Sequence, residues 1–518
     1  MGQILKHLKR EIKRTLKVKG INMYLVREGL ARKERPVPHM FGLLSFYIAL
    51  SMLLPLIVAI IYGEDVKPWV YPVLLSGMIG MLVLSRCKSS GRLRPTEAMF
   101  IVAIVWLMAS VIGAIPYMMY GMGLVDAIFE TMSGFTTTGA SIMTNIESWP
   151  TSLLFWRCLT QWLGGAGIIM IFVSVLPMLG VGGRYLTRNE SPGSSSGQGN
   201  IAFRIKDEAR KFTSIYLGIS AVLFLLLLLS GIGVYDSLVV MFSTVSTGGF
   251  SPHSQSIAYY VSPITEWIII VFMFISGVNF YLHHTVIYSR RIRTYFQSSE
   301  FCTYLTLIAI ASALVFLLVW DESLGNFEYW LRTSMFQVVS SMTSTGFATI
   351  DFALWGKAAL FILFGLMVIG GCTGSTAGGL KVARFVLTRE FVYSTLYKTV
   401  HPRSVYTTKM DGKPLNENVL TSLMAVLVCY ILSALACTIV LVILGIDPTT
   451  SMSAAITTLS NVGPGMGALG PMGSFAGIPE IGKITLTITM WAGRLEFISV
   501  FVILTPVFWR ELLRYKAI

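Results

Sequence analysis

Long apolar runs alternate with short polar segments along nearly the whole chain. The first two runs, Phe41–Tyr62 and Trp69–Leu84, approach the roughly 20 residues that a helix needs to cross a bilayer. Glu64 and Asp65 lie between these runs, and a basic segment follows the second run. The pattern predicts two membrane-spanning helices, with the acidic turn outside and the basic segment inside.

A longer pattern then repeats four times from Thr96 onward. Each unit has an apolar span, a shorter semi-polar stretch ending in Ser/Thr and Gly, and a second apolar span followed by basic residues. The units are Thr96–Tyr120, Val125–Ser141 and Ser152–Leu179; Phe212–Gly231, Tyr235–Ser251 and Ile264–Tyr288; Phe301–Trp320, Tyr329–Thr349 and Ala358–Val400; and Val419–Leu444, Thr449–Gly467 and Ile481–Trp509.

This pattern predicts an all-α integral membrane protein with about ten spanning segments and four re-entrant pore loops. We divide the chain into a basic cytoplasmic N-terminal tail (1–40), two extra N-terminal spans (41–95), and four pore repeats separated in one place by a cytoplasmic linker. The repeats are 96–181, 209–298, 299–413 with a broken second span, and 414–518, and the linker is 182–208.

Composition agrees with a membrane location. Hydrophobic residues make up 54% of the 518 residues and charged residues only 13%, whereas soluble proteins carry about 25% charged residues. The net charge of +14 comes from Lys and Arg between alternate apolar runs, which is typical of cytoplasmic loops and not of a nucleic-acid surface. We expect both termini on the cytoplasmic side of the cell (inner) membrane.

The tail and the cysteines add little chemistry. Residues 1–40 lack the short apolar core of a secretory signal, and Ile4–Val26 has the spacing of a basic amphipathic helix on the membrane surface. The six cysteines show no metal-ligand spacing, and we expect no disulfide framework.

The middle stretch of each repeat carries the candidate ion chemistry. Each stretch is too short to cross the bilayer, which favours a half-helix that enters, turns and leaves as extended chain. Backbone carbonyls of such a chain can replace the water shell of a potassium ion, and glycine reaches the required positive φ without a steric penalty. Aligned on one glycine, the loops read Thr136–Ser141, Val245–Phe250, Thr343–Ala348 and Leu459–Pro464.

We therefore predict a potassium-binding filter with K⁺ as the transported ion. An ordinary extracellular turn explains any single loop equally well, but four copies in register favour a pseudo-fourfold pore. The predicted filter residues are Thr137, Thr138, Gly139, Ala140, Ser246, Thr247, Gly248, Gly249, Ser344, Thr345, Gly346, Phe347, Asn461, Val462, Gly463 and Pro464.

A glycine-rich break interrupts the second span of the third repeat, and small polar residues there can line a constriction below the filter. A phosphate-binding loop is disfavoured because Leu380 stands where Lys is required, and a plain helix kink remains an alternative. The predicted gate comprises Gly370, Gly371, Cys372, Thr373, Gly374, Ser375, Thr376, Ala377, Gly378 and Gly379, together with Arg494.

Arg494 lies inside the last apolar span, where a charged side chain is costly unless it faces water or a partner. We expect it to face the pore, and a structural pair with Glu496 or another carboxylate is the alternative. Glu496 is two residues away and is poorly placed on a helix to be that partner. Arg157 and Gln161 are interpreted as links between repeats, and Glu130 as a structural or mouth residue.

At these residues the chain resembles the Trk/Ktr/HKT superfamily of potassium transporters, and most closely its TrkH type of bacterial potassium-uptake subunit. The resemblance covers nearly the whole chain, including the two extra N-terminal spans. It implies a homodimer, a cytosolic nucleotide-binding regulatory ring of the TrkA type as partner, and an intramembrane gating loop. In that family the loop glycines mark potassium selectivity, and Gly139, Gly248, Gly346 and Gly463 match this pattern. Asn461 and Val462 depart from the Ser/Thr of the other loops.

The predicted function is potassium uptake through a channel-like filter, gated by the intramembrane loop and regulated from the cytoplasm. The alternative is a sodium-permeable or ion-coupled (Na⁺ or H⁺) potassium symporter of the same fold. A membrane enzyme is disfavoured because no nucleophile and base, or His/Asp/Glu cluster, falls at bilayer depth. We expect no organic cofactor in this chain, a nucleotide only on a partner subunit, and no nucleic-acid partner.

Overall fold

The structure, a computed structural model, describes residues 36–87, 95–174, 199–321, 326–404, 409–414 and 417–513. Within these ranges the chain is helical apart from loops and one short antiparallel hairpin, β1 Lys409–Met410 and β2 Lys413–Pro414. The prediction of an all-helical membrane chain is confirmed. Most of the predicted tail, including the amphipathic helix Ile4–Val26, and residues 182–198 of the predicted linker lie outside the described residues.

The helices follow the order expected from the apolar runs. The two extra spans are α1 Pro36–Ser51 with α2 Leu53–Tyr62, and α3 Lys67–Arg86. The next helices are α4 Pro95–Met119, α5 Leu124–Phe135, α6 Thr151–Ser174, α7 Gly199–Leu229, α8 Val234–Val245, α9 Pro263–Ser276, α10 Phe280–Ser289, α11 Arg293–Phe296, α12 Ser299–Val319, α13 Phe327–Met342, α14 Lys357–Ile369 and α15 Val382–Val400. The last are α16 Glu417–Ile443, α17 Pro448–Leu459, α18 Glu480–Arg494, α19 Ile498–Ile503 and α20 Pro506–Leu513.

Short 3₁₀ turns occur in the loops that follow the four half-helices: Ile146–Ser148, Ser256–Tyr260, Phe352–Leu354, Gly467–Leu469 and Phe475–Gly477. Helix α7 begins at Gly199, inside the predicted linker 182–208. The helix therefore begins 13 residues before the apolar run that starts at Phe212.

The number of uninterrupted spans is smaller than the predicted ten. Seven helices of the described part of the chain are long and apolar enough to cross a membrane, or eight if α9 and α10, which meet at 95°, count as one bent span. Helices α14 and α18 have only 13 and 15 residues. The shortfall thus comes from second spans that are broken in the second, third and fourth repeats, of which the sequence predicted only the break at 370–379.

The four half-helices α5, α8, α13 and α17 contain 12, 12, 16 and 12 residues. At 1.5 Å per residue they span about 18 to 24 Å, less than the hydrocarbon core of about 30 Å. Their residues are largely buried, and the side chains of Asn326 and Asp447 cap the N-termini of α13 and α17. Each half-helix therefore ends inside the protein, with the partially negative C-terminal end of its dipole directed at the loop that follows.

Buried cationic side chains bind a neighbouring repeat at three of the interfaces between repeats. These interfaces are called seams below. Arg157 of the first repeat binds Glu130 at 2.6 Å and the carbonyl oxygen of Ser251, in the second repeat, at 2.9 Å. Arg332 of the third repeat binds Glu266 of the second at 2.6 Å. Lys483 of the fourth repeat binds Asp126 of the first at 2.7 Å, so the last repeat closes back onto the first.

Candidate ion-conduction site

The four pore loops leave their half-helices through the same backbone turn. In the first loop, the amide nitrogens of Thr136, Thr137 and Thr138 donate to the carbonyl oxygens of Met132, Gly134 and Ser133. The matching donors in the other loops, each with the same spacing to its acceptor, are Ser246, Thr247 and Gly248; Thr343, Ser344 and Thr345; and Ser460, Asn461 and Val462. These hydrogen bonds fix the structural register of the loops.

Two residues of each loop have a left-handed backbone in this register. The first is not glycine: φ is 53° at Thr137, 54° at Thr247, 55° at Ser344 and 53° at Asn461. The second is always glycine, two residues later, with φ of 81° at Gly139, 79° at Gly249, 79° at Gly346 and 89° at Gly463. Left-handed Thr, Ser and Asn residues are uncommon and concentrate at functional sites.

The second loop corrects the alignment made from the sequence. That alignment placed Gly248 beside Gly139, whereas the hydrogen bonds and φ values make Gly249 the equivalent glycine. Gly248 takes the place of Thr138, Thr345 and Val462. Two adjacent glycines made both registers compatible with the residue pattern, and only the backbone conformation separates them.

The four equivalent glycines form a closed ring of backbone contacts. A Cβ added at Gly139 would meet the carbonyl oxygen of Gly248, and one at Gly249 would meet that of Thr345. Likewise, a Cβ at Gly346 would meet the carbonyl oxygen of Val462, and one at Gly463 would lie 2.7 Å from that of Thr138. Each loop thus touches the next, the fourth touches the first, and no residue but glycine fits at the contact.

The hydroxyl beside each turn binds its own half-helix in the first three loops. Thr136, Ser246 and Thr343 donate to the carbonyl oxygens of Met132, Phe242 and Val339 at 2.6 to 2.7 Å. In the fourth loop, the hydroxyls of Ser460 and Tyr430 lie 2.7 Å apart instead. These hydroxyls therefore secure the loops, and the carbonyl groups remain the candidate ion ligands.

Asn461 makes the fourth loop different. Its Nδ2 donates to Thr138 Oγ1 at 2.9 Å and to the carbonyl oxygen of Met490 at 3.0 Å, joining the fourth loop to the first. Among the described residues, no hydrogen-bond partner is present for its buried Oδ1 or for Thr137 Oγ1. The inner end of the ring consequently carries polar oxygens that are not used by the protein.

The glycine-rich segment 370–379 lies against this inner end. Thr376 Oγ1 donates to the carbonyl oxygens of Val245 and Ser276 at 3.1 and 3.2 Å. The amide nitrogen of Gly378 donates to Ser344 Oγ, and that of Gly379 donates to the carbonyl oxygen of Ser460 at 2.9 Å. The segment therefore binds the second, third and fourth loops directly below their ring.

Arg494 approaches the same segment. The side chain is 3% exposed, and its Nη1 donates to the carbonyl oxygen of Thr376 at 2.8 Å. Its Nε and Nη2 have no hydrogen-bond partner within the described part of the chain. Glu496 pairs instead with Arg384 of α15, so the alternative in which Glu496 neutralises Arg494 is wrong.

Other residues singled out from the sequence fall around the ring. Gln161 Nε2 donates to the carbonyl oxygen of Gly248 at 2.7 Å, and its Oε1 accepts from the amide of Phe250 at 3.0 Å. Gln161 and Arg157 therefore join the first repeat to the second, as expected. Glu130 accepts hydrogen bonds from Arg157, Ser141 and Ile142 and so has a structural role.

Sequence reasoning missed two helix breaks close to segment 370–379. The first lies between α9 and α10, where the carbonyl oxygen of Gly277 accepts from the amide of Cys372 at 2.9 Å, and the amide of Phe280 donates to Gly374 at 3.1 Å. The second follows Arg494, with left-handed φ values of 59° at Glu496 and 58° at Phe497. The sequence contains a signal for the break between α9 and α10, because Gly277 and Asn279 interrupt an apolar run.

Comparison with known proteins places this site in a known fold. A family model described as TrkH, cation transport protein, matches residues 73–325 and 323–509. The Trk system potassium uptake proteins TrkH of Salmonella typhimurium and Escherichia coli are 34% identical over 487 residues and 33% identical over 483 residues. Each alignment covers 92% of this chain and 99% of the relative.

A solved structure agrees with these relatives. The crystal structure of the potassium transporter TrkH from Vibrio parahaemolyticus matches with a TM-score of 0.84 at 31% identity. The match covers 92% of this chain and 99% of that chain.

Proposed function

Because this chain belongs to the TrkH family of cation transport proteins, we propose that it takes up potassium across the cell membrane through the ring formed by its four pore loops. The close relatives are named as potassium uptake proteins, and the resemblance stated from the sequence is confirmed. The observation that carries the proposal is the ring itself, in which Gly139, Gly249, Gly346 and Gly463 each meet the backbone of a neighbouring loop.

The ring supplies the chemistry that a dehydrated cation needs. The carbonyl oxygens of Thr138, Gly248, Thr345 and Val462 line the inter-loop contacts, and carbonyl rings of this kind replace the water shell of a potassium ion. The four half-helices direct the negative ends of their dipoles at the same region. Binding shared among several weak dipoles lets an ion enter and leave, which conduction requires.

Segment 370–379 and Arg494 form the gate of this proposal. The segment contacts one end of the ring through Thr376, Gly378 and Gly379. Beside it, Nε and Nη2 of Arg494 have no hydrogen-bond partner among the described residues. A buried positive charge on the ion path opposes cation flow. Opening therefore requires the segment to leave the second, third and fourth loops and to carry its contact with Arg494 away.

The proposal also covers the membrane location, the orientation and the partners of the protein. The protein lies in the inner membrane with both termini in the cytoplasm, since basic residues such as Arg290, Arg291 and Arg293 follow the second spans. In this proposal it forms a homodimer and is regulated by a cytosolic nucleotide-binding ring of the TrkA type, and its exposed basic residues favour an acidic partner surface. The chain is a transporter rather than an enzyme, and nucleotide binds on the partner.

Uptake of rubidium and sodium into proteoliposomes tests the proposal. Wild-type protein is expected to pass rubidium faster than sodium, Gly139→Ser to lose this preference, and Arg494→Ala to raise the rubidium flux. Gly121→Ser is the control for Gly139→Ser, because Gly121 also has a positive φ (96°) but no atom lies within 4 Å of its added Cβ.

Each outcome bears on a separate part of the proposal. Equal rubidium and sodium fluxes in wild-type protein would refute potassium selectivity and support the sodium-permeable alternative. Flux that saturates and depends on a second ion would support the symporter. A complete lack of flux, with the cytosolic partner present, would refute conduction through the ring.

A further inference from the structure

A buried glutamate fastens the gate to a neighbouring helix. Glu300 lies in the first turn of α12 and is only 5% exposed. Its Oε1 accepts hydrogen bonds from the amide nitrogen of Thr373, at 2.5 Å, and from that of Ala383, at 3.2 Å. Thr373 lies within segment 370–379 and Ala383 lies just beyond it, so one carboxylate oxygen joins the segment to the helix that follows it.

The contact with Ala383 has the form of a helix cap supplied by another element. Helix α15 begins at Val382, and its N-cap residue is Lys381, whose side chain carries no hydrogen-bond acceptor and donates to the carbonyl oxygen of Ala377. The first amide groups of a helix lack intrahelical acceptors, and a negative charge is favourable at this end of the dipole. The carboxylate of Glu300 therefore stabilises the start of α15 and the docked segment at the same time.

The position of Glu300 is itself fixed by contacts with an exposed hairpin. Asp411, in the turn between β1 and β2, accepts from the amide nitrogen of Ser299 at 2.8 Å and from Ser299 Oγ at 2.6 Å. Ser299 precedes Glu300 at the start of α12. A chain of contacts thus runs from an exposed hairpin, through the end of α12, to the gate.

We propose that Glu300 is a positioning residue of the gate, which holds segment 370–379 in its docked conformation by binding Thr373 and Ala383 together. The inference rests on the proposed function, because it assigns the docked segment to the non-conducting state. When the segment leaves the ring, the amides of Thr373 and Ala383 move apart and Glu300 loses at least one of them. Hydrogen bonds to a charged group are stronger than those between neutral groups. Their loss therefore shifts the equilibrium between the docked and undocked segment toward the undocked one.

Cys372 provides a native reporter beside Thr373. Its side chain is fully buried in the docked segment, and it becomes reactive toward a reagent in water only when the segment moves. The other cysteines, Cys87, Cys158, Cys302, Cys429 and Cys437, are first replaced by alanine. The rate of Cys372 modification by a cationic, membrane-impermeant methanethiosulfonate is then measured in proteoliposomes, together with rubidium uptake.

Glu300→Ala is expected to raise the Cys372 modification rate roughly tenfold, the change that loss of one charged hydrogen bond produces, and to raise rubidium uptake without changing the rubidium-to-sodium ratio. Glu300→Gln retains an acceptor oxygen but loses the charge, so its labelling rate is expected to lie between that of wild type and that of Glu300→Ala. Glu266→Ala is the matched control, because Glu266 is similarly buried (8% exposed) but pairs with Arg332 in a different seam. It is expected to leave Cys372 labelling unchanged.

The outcomes separate this inference from the proposed function. Wild-type rubidium uptake with unchanged Cys372 labelling in Glu300→Ala would overturn the inference and leave the proposed function intact. Absent wild-type uptake would overturn the proposed function, and labelling would still report on the segment. If Glu300→Ala does not fold, Glu300→Asp keeps the charge on a shorter side chain; intermediate labelling supports the inference, and wild-type labelling contradicts it.

Discussion

Gly248 and Gly249 are adjacent but have different reasons to be glycine. Gly249 has a φ of 79°, and the nearest atoms to an added Cβ belong to the backbone of Thr345 and Gly346. Gly248 has no left-handed φ, and the atoms nearest to its added Cβ all belong to the side chain of Gln161. A side chain can rotate away, whereas the backbone of a neighbouring loop cannot move without opening the ring.

The two glycines are therefore expected to respond differently to alanine. Gly249→Ala forces both a disfavoured φ and a backbone clash, and it should abolish the preference for rubidium over sodium in proteoliposome uptake. Gly248→Ala should reduce uptake less, and Gln161→Ala in the same chain should relieve its clash. Equal loss of selectivity in Gly248→Ala and Gly249→Ala would contradict the structural register of the second loop.

At the scale of elements, the sequence predicted what depends on apolar length and on repetition. Four short half-helices and the break at 370–379 were visible because their composition departs from that of a spanning helix. The breaks at Gly277–Asn279 and after Arg494 were not predicted, because each is stabilised by distant residues. Phe280 binds Gly374, and Glu496 binds Arg384, across 94 and 112 residues of sequence.

The pair Arg384–Glu496 joins α15, the helix after segment 370–379, to the break after Arg494. Both side chains are partly buried, at 15% and 18% exposure, and Glu496 has a left-handed φ of 59°. Such strain persists only where surrounding contacts hold it. The ion pair therefore couples α15, which follows segment 370–379, to the helix that carries Arg494.

Charge reversal tests this coupling. Arg384→Glu or Glu496→Arg alone places like charges together, and each is expected to raise basal rubidium uptake and to lower the thermal unfolding temperature. The double reversal should recover most of both properties, because it restores an opposite-charge pair. Reversing Arg389 and Glu390, a more exposed pair on the same helix with Arg389 66% exposed, should have little effect. Failure of the double reversal to recover either property would contradict the coupling.

At the scale of the whole molecule, the arrangement of the four loops in the ring depends on the contacts between repeats, the seams, that surround it. The seams are chemically different: Arg157 and Gln161 act between the first and second repeats, Arg332 between the second and third, and Lys483 with Asn461 between the fourth and first. The sequence showed four similar loops and indicated Arg157 and Gln161 as links between repeats, but it did not give their partners, because each pairing joins residues that are far apart in the chain. The four similar loops are therefore held in their ring by unlike contacts.

The seam at Arg157 is the best place to test whether the seams hold the ring of loops. Arg157 is 2% exposed and Glu130 is 0% exposed, so the loss of their ion pair is costly. Arg157→Met leaves a buried carboxylate without its cation and should destabilise the protein by about 3 to 5 kcal/mol. The double variant Arg157→Met with Glu130→Gln removes the unpaired charge and should recover part of this loss, as measured by thermal unfolding in detergent.

Since Arg157 also binds the carbonyl of Ser251, three residues after Gly248, both variants should show a lower rubidium-to-sodium uptake ratio than wild type. A stable double variant with lowered selectivity would show that this seam shapes the filter independently of its effect on stability, whereas wild-type selectivity in that variant would limit Arg157 to a structural role.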